Sequence, residues 1–476
     1  MLWILVLVAT GLWTVYSRWQ RRRIHRVSRE VPCGLPGLPL IGHAHLFAGS
    51  DEDRMELIQK LGKVSVKFGG MTSVWMVNKL YVVISDPVVA EVVLKSCLDK
   101  DDTTMKFIRK LVGNGNIFAP VSIWRPRRKI LAPIFSIKNL NCFVPIFAEQ
   151  SEIMVQQLAR EAGNGDFSFW KYITTYTFDA ICSKLLRYTA SSFSTAPSRN
   201  SLKKRLSCPW LYLDCIYERL YLIICFLQLI KEKRKELSTR AFVFSEPEMR
   251  TFLEMLIESS GGPQGYTELE LREEVLVIIL AGTDTSAVGA AYTAVMMSRY
   301  PEVQEKVHQE LQEVFGDSDR PATVQDLTRL KYLEAVIKET LRTYPAVPVV
   351  VREVLNDVEL PTGTKLVNGV GILVNFCAMH RNAAYWGEDA DVFRPERFLE
   401  GPLKHPAQFM PFSYSLRNCV GSTYAMMSMK TVLSGLVRRY QLLPSTLELR
   451  AKFRVMMKDS AGYTLRIEHR HRRSLA

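Results

Sequence analysis

Pro411-Phe412-Ser413-Tyr414-Ser415-Leu416-Arg417-Asn418-Cys419-Val420-Gly421 runs directly into Ser422-Thr423-Tyr424-Ala425-Met426-Met427. The second stretch reads as the start of a helix, so Cys419 stands just ahead of a helix N-terminus. The helix dipole and the free backbone N–H groups of that first turn favour an anion, and therefore the thiolate form of cysteine. A thiolate can ligate iron. Phe412 lies seven residues before the cysteine, Arg417 two before and Gly421 two after. Together they could hold the sulfur, supply N–H groups to it and set a cation beside an anionic cofactor edge. Taken alone, the stretch also fits an ordinary buried cysteine.

The rest of the chain supports a large folded body. Its 476 residues are 47% hydrophobic and 23% charged, the composition of a globular protein and not of a disordered one. No fixed-period repeat is visible, and no Gly/Ser-rich linker divides the chain after residue 50, which favours one large domain. The nine cysteines are scattered without a C-x-x-C pair, so a zinc site is not expected. Their odd number and wide spacing suit reduced thiols facing the cytosol. The net charge of +14 comes with no nucleic-acid-binding motif. A membrane surface and an acidic redox partner explain it more simply.

Residues 2–16 are uncharged and almost wholly apolar, and Arg18, Arg21, Arg22, Arg23, Arg26 and Arg29 follow them. A secretory signal would carry its charge before the apolar run. Charge after the run predicts a single-pass anchor with a lumenal N-terminus and a cytosolic body; the alternative is a helix buried in the core. Val31-Pro32-Cys33-Gly34-Leu35-Pro36-Gly37-Leu38-Pro39 is a stiff, non-helical connector. The expected organisation is an anchor over residues 1–17, a basic stop and Pro/Gly-rich connector over 18–42, and a catalytic domain over 43–476. The body opens with an expected hairpin, strands 73–77 and 81–85 around Asn78-Lys79-Leu80. Helical periodicity then dominates from residue 88 to about 345, which makes the fold mainly α with small β-sheets.

Three further patterns carry chemistry. Trp124 and Arg128 are four apart and share a helix face, where an indole N–H and a guanidinium can bind a carboxylate; the alternative is a basic solvent-exposed turn. Pro126 suits the first turn of that helix better than its middle. Ala281-Gly282-Thr283-Asp284-Thr285-Ser286 interrupts a long apolar helix over residues 271–299, where an acid and a hydroxyl are costly to bury without a purpose. Gly282 lets something approach the backbone closely, while threonines bonded back to the preceding turn are the plain alternative. Lys338-Glu339-Thr340-Leu341-Arg342 closes a helical run over 332–342, and Phe393-Arg394-Pro395-Glu396-Arg397-Phe398 follows downstream.

The order of these motifs resembles the cytochrome P-450 family, the haem-thiolate monooxygenases, over roughly residues 30–465. Phe412, Arg417, Cys419 and Gly421 match the family's Phe-x-x-Gly-x-Arg-x-Cys-x-Gly, and Ser415 departs from it. The resemblance implies a single haem domain of the cytochrome P-450 fold behind an N-terminal anchor. It implies haem b with the Cys419 thiolate on the iron, pushing electron density that favours O–O cleavage. Trp124, Arg128, Arg352 and Arg417 would meet the haem propionates. Asp284 and Thr285 would handle protons and dioxygen. Glu339, Arg342 and Arg397 would form a structural ion cluster. His380 is read as structural. Alanine at 281, where ω-hydroxylases often carry an ester-forming glutamate, makes a covalent haem link unexpected. Asn418 and Ala132-Pro133-Ile134-Phe135 look most like the fourth family of animal microsomal members, which includes fatty-acid ω-hydroxylases and insect relatives.

The resemblance therefore implies a monooxygenase of the endoplasmic reticulum membrane. It would act on a lipophilic molecule of fatty-acid, hormone or xenobiotic type, with electrons from NADPH through a reductase docking on the cysteine side. Residues 187–235 would roof the substrate, and the apolar run 220–230 is too short to span a bilayer. Two other readings are a dioxygen-independent haem-thiolate isomerase or dehydratase, which Asp284-Thr285 argues against, and a haem-binding membrane protein that has lost catalysis, for which Ser415 is the only support.

Overall fold

Wherever the chain is described, the apolar periodicity after residue 88 becomes helix. The structure is a computed structural model and describes residues 21–186, 251–262 and 265–470, with isolated positions at 3, 16, 19, 230, 231 and 235. The expected anchor over 1–17 and the run 220–230 lie almost wholly outside the described residues. The principal helices are Asp51–Lys67, Val121–Ile134, Val144–Leu158, Trp170–Leu186, Glu268–Arg299, Pro301–Phe315, Lys331–Thr343 and Ser422–Arg439.

The central element is Glu268–Arg299. A capping box starts it: the Thr267 hydroxyl accepts from Glu270 N (3.2 Å) while Thr267 N donates back to the Glu270 carboxylate (2.9 Å). Pro301 opens the next helix just past its end. This helix is long and apolar enough to cross a membrane, but residues 286–298 are all buried in protein. Over that stretch its apolarity is that of a core helix. It shares one continuous cluster with Val336, Ile337 and Leu341 of Lys331–Thr343 and with Met429, Val432 and Leu433 of Ser422–Arg439.

A four-stranded sheet lies to one side. Met71–Met76 pairs antiparallel with Lys79–Ile84, which runs parallel to Gly371–Asn375; Val349–Glu353 completes it antiparallel to Gly371–Asn375. The hairpin differs from expectation. Its turn holds only Val77 and Asn78, and Lys79 and Leu80 belong to the second strand. Val77 accepts a φ of 56° to make this possible, a conformation rare for a β-branched residue, so residue preference pointed to a longer loop. The connector docks on the outer edge of this sheet: Ser73 N donates to Pro32 O (2.9 Å), Gly42 bridges Met76, and Val27 and Val31 are buried.

The Trp124 helix also differs. It starts at Val121, so Pro126 and Pro133 both sit inside it, and Ala132-Pro133-Ile134 is its last turn. Each proline removes one helical bond, to the carbonyls of Ser122 and Lys129. Both of those residues are exposed, where water can satisfy the carbonyls.

Glu339, Arg342 and Arg397 lie together behind the cysteine loop. Glu339, Arg342 and Arg397 are buried. Arg342 grips the carboxylate through Nε (2.7 Å) and Nη2 (2.8 Å), Arg397 through Nε (3.1 Å), and Arg394 N adds a fourth bond (2.8 Å). Arg342 also donates to the carbonyls of His380 and Ala390. The helix Lys331–Thr343 is thereby pinned to the segment that leads to the cysteine loop. His380 is structural: its Nε2 accepts from Met410 N (3.0 Å), and burial, with Arg342 and Arg381 nearby, pushes its pKa down to about 3. Glu339→Ala leaves the buried Arg342 guanidinium without a carboxylate and Arg397 with only the partly exposed Asp389 (3.2 Å), so urea unfolding should show a loss of about 3–5 kcal/mol. A loss below about 1 kcal/mol, the scale of an exposed pair, would show that the cluster is not structural.

Candidate active site

The cysteine loop is tied by its own backbone. Cys419 N donates to Phe412 O (2.8 Å), Asn418 N to Ser415 O (3.1 Å) and Ser413 N to Met410 O (3.0 Å). Ser413 and Ser415 both sit at φ 62°. The loop has not relaxed to accommodate serine, and Ser415 carries the left-handed conformation that glycine adopts freely. The helix Ser422–Arg439 begins at once, with Gly421 as its N-cap.

The thiol departs from expectation in one respect. Burial, the largest influence, raises the Cys419 pKa above its ordinary value; the backbone N–H of Gly421 and the Arg128 guanidinium act the other way and do not overcome it. The helix N-terminus favours the thiolate, as expected, but desolvation outweighs it. Yet Cys419 retains exposed surface. Cys419 thus combines desolvation with access, as a thiol facing a recess between the cysteine loop and the Arg128 helix would.

Cations gather around this recess. Arg128 donates to Asn418 Oδ1 (2.6 Å), next to the cysteine. The Arg417 guanidinium lies 4.3 Å over the Trp124 ring. Its N–H groups are held by carbonyls: Leu98 O at 3.1 Å, Ala119 O at 2.8 Å and Asn116 O at 3.4 Å. Arg352 is buried in the strand Val349–Glu353, donates one bond to Val351 O (3.0 Å) and leaves Nε without a partner. Lys100, which sequence reasoning missed, completes the group. Burial and the neighbouring Arg352 and Arg417 lower its pKa well below the usual lysine value, while its surface stays partly exposed, as for Cys419. Burial pushes Arg352 and Arg417 down to about 10. Among the described residues none of the four cations forms an ion pair. Uncompensated buried charge is expensive, and a dianionic group bound here would relieve it. Haem, with two carboxylates at one edge and an iron for the thiol, fits this donor set.

The long helix loses its full burial over one continuous stretch in its middle. Residues 280–285 all retain exposed surface between buried flanks. Thr285 Oγ1 donates back to Ala281 O (2.6 Å), the plain arrangement for a helical threonine. Asp284 pairs with Lys458 Nζ (3.1 Å), which lies 4.7 Å over the Trp170 ring. The close approach at Gly282 is by the neighbouring helix: a Cβ there would meet Ile181 Cδ1 at 2.4 Å, the tip of a side chain that would have to move aside.

The structure thus brings Cys419, Phe412, Arg417, Trp124, Arg128 and Arg352 to one region. It puts Asp284 and Thr285 on the open stretch of the long helix, and Glu339, Arg342 and Arg397 behind as a brace. Lys100 was concealed by its neighbours, since Asp99-Lys100-Asp101-Asp102 reads as a solvated charged turn. Lys458 lies in a short strand with no motif. Arg127, adjacent to Arg128, points the opposite way and pairs with Glu270, Glu273 and Glu274 of the long helix.

Comparison with known proteins follows the same pattern. A family model described as cytochrome P-450 matches residues 32–202 and 220–464. The chain is 30% identical to cytochrome P-450 4V2 of Homo sapiens, over 96% of this chain and 92% of that protein. It is 30% identical to cytochrome P-450 4c21 of Blattella germanica, over 95% of each chain. It is also 30% identical to cytochrome P-450 4d2 of Drosophila melanogaster, over 98% of this chain and 99% of the other.

The left-handed serine yields a direct test. Ser415→Gly should relieve a strain of about 1 kcal/mol, raising the thermal midpoint and slowing haem loss on mild heating. Faster haem loss than in the unsubstituted protein would mean that the serine conformation carries no strain.

Proposed function

We propose that this chain, which belongs to the cytochrome P-450 family and is therefore a haem-thiolate monooxygenase, works at a cytosol-facing membrane surface on a lipophilic substrate, with electrons from NADPH delivered by a reductase. The observation that carries the residue assignments is the set of four enclosed cations without a carboxylate partner beside a cavity-lining cysteine.

Bound haem supplies the activation of dioxygen and the insertion of one oxygen atom. Cys419 holds the iron through its sulfur, and the Gly421 N–H bonds to that sulfur and restrains its basicity. Arg128, Arg352 and Arg417 take the carboxylate edge, with Trp124 supporting Arg417 through its ring face and donating its indole N–H. Phe412 contributes its carbonyl, which fixes the Cys419 amide. Asp284 is the proton-relay acid, and Lys458 holds its carboxylate at the open stretch of the helix. The Thr285 hydroxyl turns from Ala281 O toward the cavity when a better acceptor is present there, a rotation of one side-chain torsion. The apolar N-terminus followed by six arginines supports an anchor in the endoplasmic reticulum membrane. The basic surface supports an acidic electron donor. Substrates of fatty-acid, hormone or xenobiotic type follow from the resemblance to the fourth family.

The reading of a protein that has lost catalysis rests on Ser415. A penalty near 1 kcal/mol is too small to undo a loop held by three backbone bonds. The dioxygen-independent reading leaves Asp284 and Thr285 without work.

Turnover with NADPH, a reductase and isotopically labelled dioxygen distinguishes these readings. One labelled atom in the product is the expected outcome; unlabelled product would establish dioxygen-independent chemistry. Thr285→Ala and Lys458→Met should each retain haem, yet divert more NADPH into peroxide, by at least severalfold relative to product. Unchanged coupling in both variants would remove the Asp284–Thr285 relay from the mechanism.

A further inference from the structure

Lys100 is held by an arrangement that the reaction itself does not explain. Residues 98–102 form a hub. Leu98 O accepts from Arg417 Nε (3.1 Å), and Asp99 O accepts from Glu353 N (3.0 Å). Asp101 is fully buried and accepts from Lys79 Nζ, Tyr81 OH (3.2 Å), Thr104 N (3.0 Å) and Thr104 Oγ1 (2.7 Å). Lys79 Nζ also reaches Glu353 Oε1 (2.8 Å), and the other Glu353 oxygen accepts from Asp102 N (3.2 Å).

The chain order makes this cluster informative. Lys100 lies between Asp99 and Asp101, and Arg352 immediately precedes Glu353. Alternation along the strand Val349–Glu353 sends Arg352 inward and Glu353 to the opposite face. Lys79, in the hairpin strand on the other side of Gly371–Asn375, therefore holds two carboxylates, each joined in sequence to a cation of the cavity. Lys100, Arg352 and Arg417 repel one another, and no acid pairs with them. Something must keep them together before an anion arrives, and among the described residues the ionic network that touches both cation-bearing segments is that of Lys79 with Asp101 and Glu353.

We propose that Lys79, Asp101 and Glu353 form a clamp of positioning residues that preassembles Lys100 beside Arg352 and Arg417, and that Lys100 is a further cation for the carboxylate edge of the cofactor. The inference rests on the haem reading above. The clamp touches neither cofactor nor substrate and acts by lowering the reorganisation needed when a doubly charged edge enters.

A charge-sensitive comparison separates this role from simple stability. Apoprotein from haem-starved cells is titrated with haemin and with haemin dimethyl ester, which has the same ring and iron without the carboxylates. The unsubstituted protein should prefer haemin. Lys100→Met should cut that preference at least tenfold, the scale of one charge-assisted hydrogen bond. Lys79→Met should do the same, and Lys79→Arg should restore it in part. The double variant should lose less than the product of the two single losses, because both act on one contact. Glu353→Gln provides the same comparison if Lys79→Met does not accumulate. Equal weakening of both ligands would reduce the clamp to a structural feature, and an unchanged preference would overturn it. An unsubstituted protein that binds neither ligand would instead overturn the haem reading.

Discussion

The arrangement of this molecule depends on holding four cations, Arg352 and Arg417 buried and Lys100 and Arg128 partly so, in one region with no ion pair among the described residues. Lys100, Arg128, Arg352 and Arg417 surround the cavity at Cys419, and each is held by something other than an acid. Arg417 is held by three carbonyls and the Trp124 ring, Arg128 by the Asn418 amide and Arg352 by one carbonyl, while the segment of Lys100 is tied through the carbonyls of Leu98 and Asp99. The acids that could neutralise them are engaged elsewhere. Glu339 takes Arg342 and Arg397, the acids of the long helix take Arg127, and Asp101 and Glu353 take Lys79. Chains rarely bury unpaired charge. Sorting arginines into paired and unpaired sets makes sense when an outside anion completes the second set.

The cysteine loop follows the same logic on a smaller scale. The helix N-terminus behind Cys419 supplies an amide to the sulfur, yet burial dominates and holds the thiol protonated in the protein alone. The anionic form is then favoured only by a positive partner at the sulfur, and a metal ion is the strongest such partner. The loop is braced from behind. His380 holds Met410, the Glu339 cluster holds the segment bearing His380, and the long helix packs against the helix that follows the cysteine. Strain at Ser415 is tolerated because this surround fixes the loop geometry.

The part of the site that was legible in the sequence is the part whose chemistry is specific. A cysteine with arginine and glycine at fixed offsets, a Trp and Arg four apart, and an acid beside a threonine in an apolar helix each ask for an explanation. Lys100 did not, because the acids around it look like solvent-exposed charge, and only the fold shows that Asp101 is buried on Lys79 while Lys100 lies near Arg352 and Arg417. Lys458 was hidden for a related reason: its meaning comes from Asp284, 174 residues earlier in the chain. The misjudged local details were the tight turn at Val77 and the prolines within Val121–Ile134. In both, tertiary context overrode residue preference, through docking of the connector beside the turn and through exposure of the freed carbonyls. The expected roof, residues 187–235, lies almost wholly outside the described residues.

The central claim is that Cys419 binds haem iron as a thiolate. The carbon-monoxide difference spectrum of the reduced, membrane-bound protein tests it most directly, measured side by side with Cys419→Ala. A strongly red-shifted Soret band in the unsubstituted protein that vanishes in the variant is the predicted result. An unshifted band in the unsubstituted protein, or a shifted band that survives without the cysteine, would contradict it.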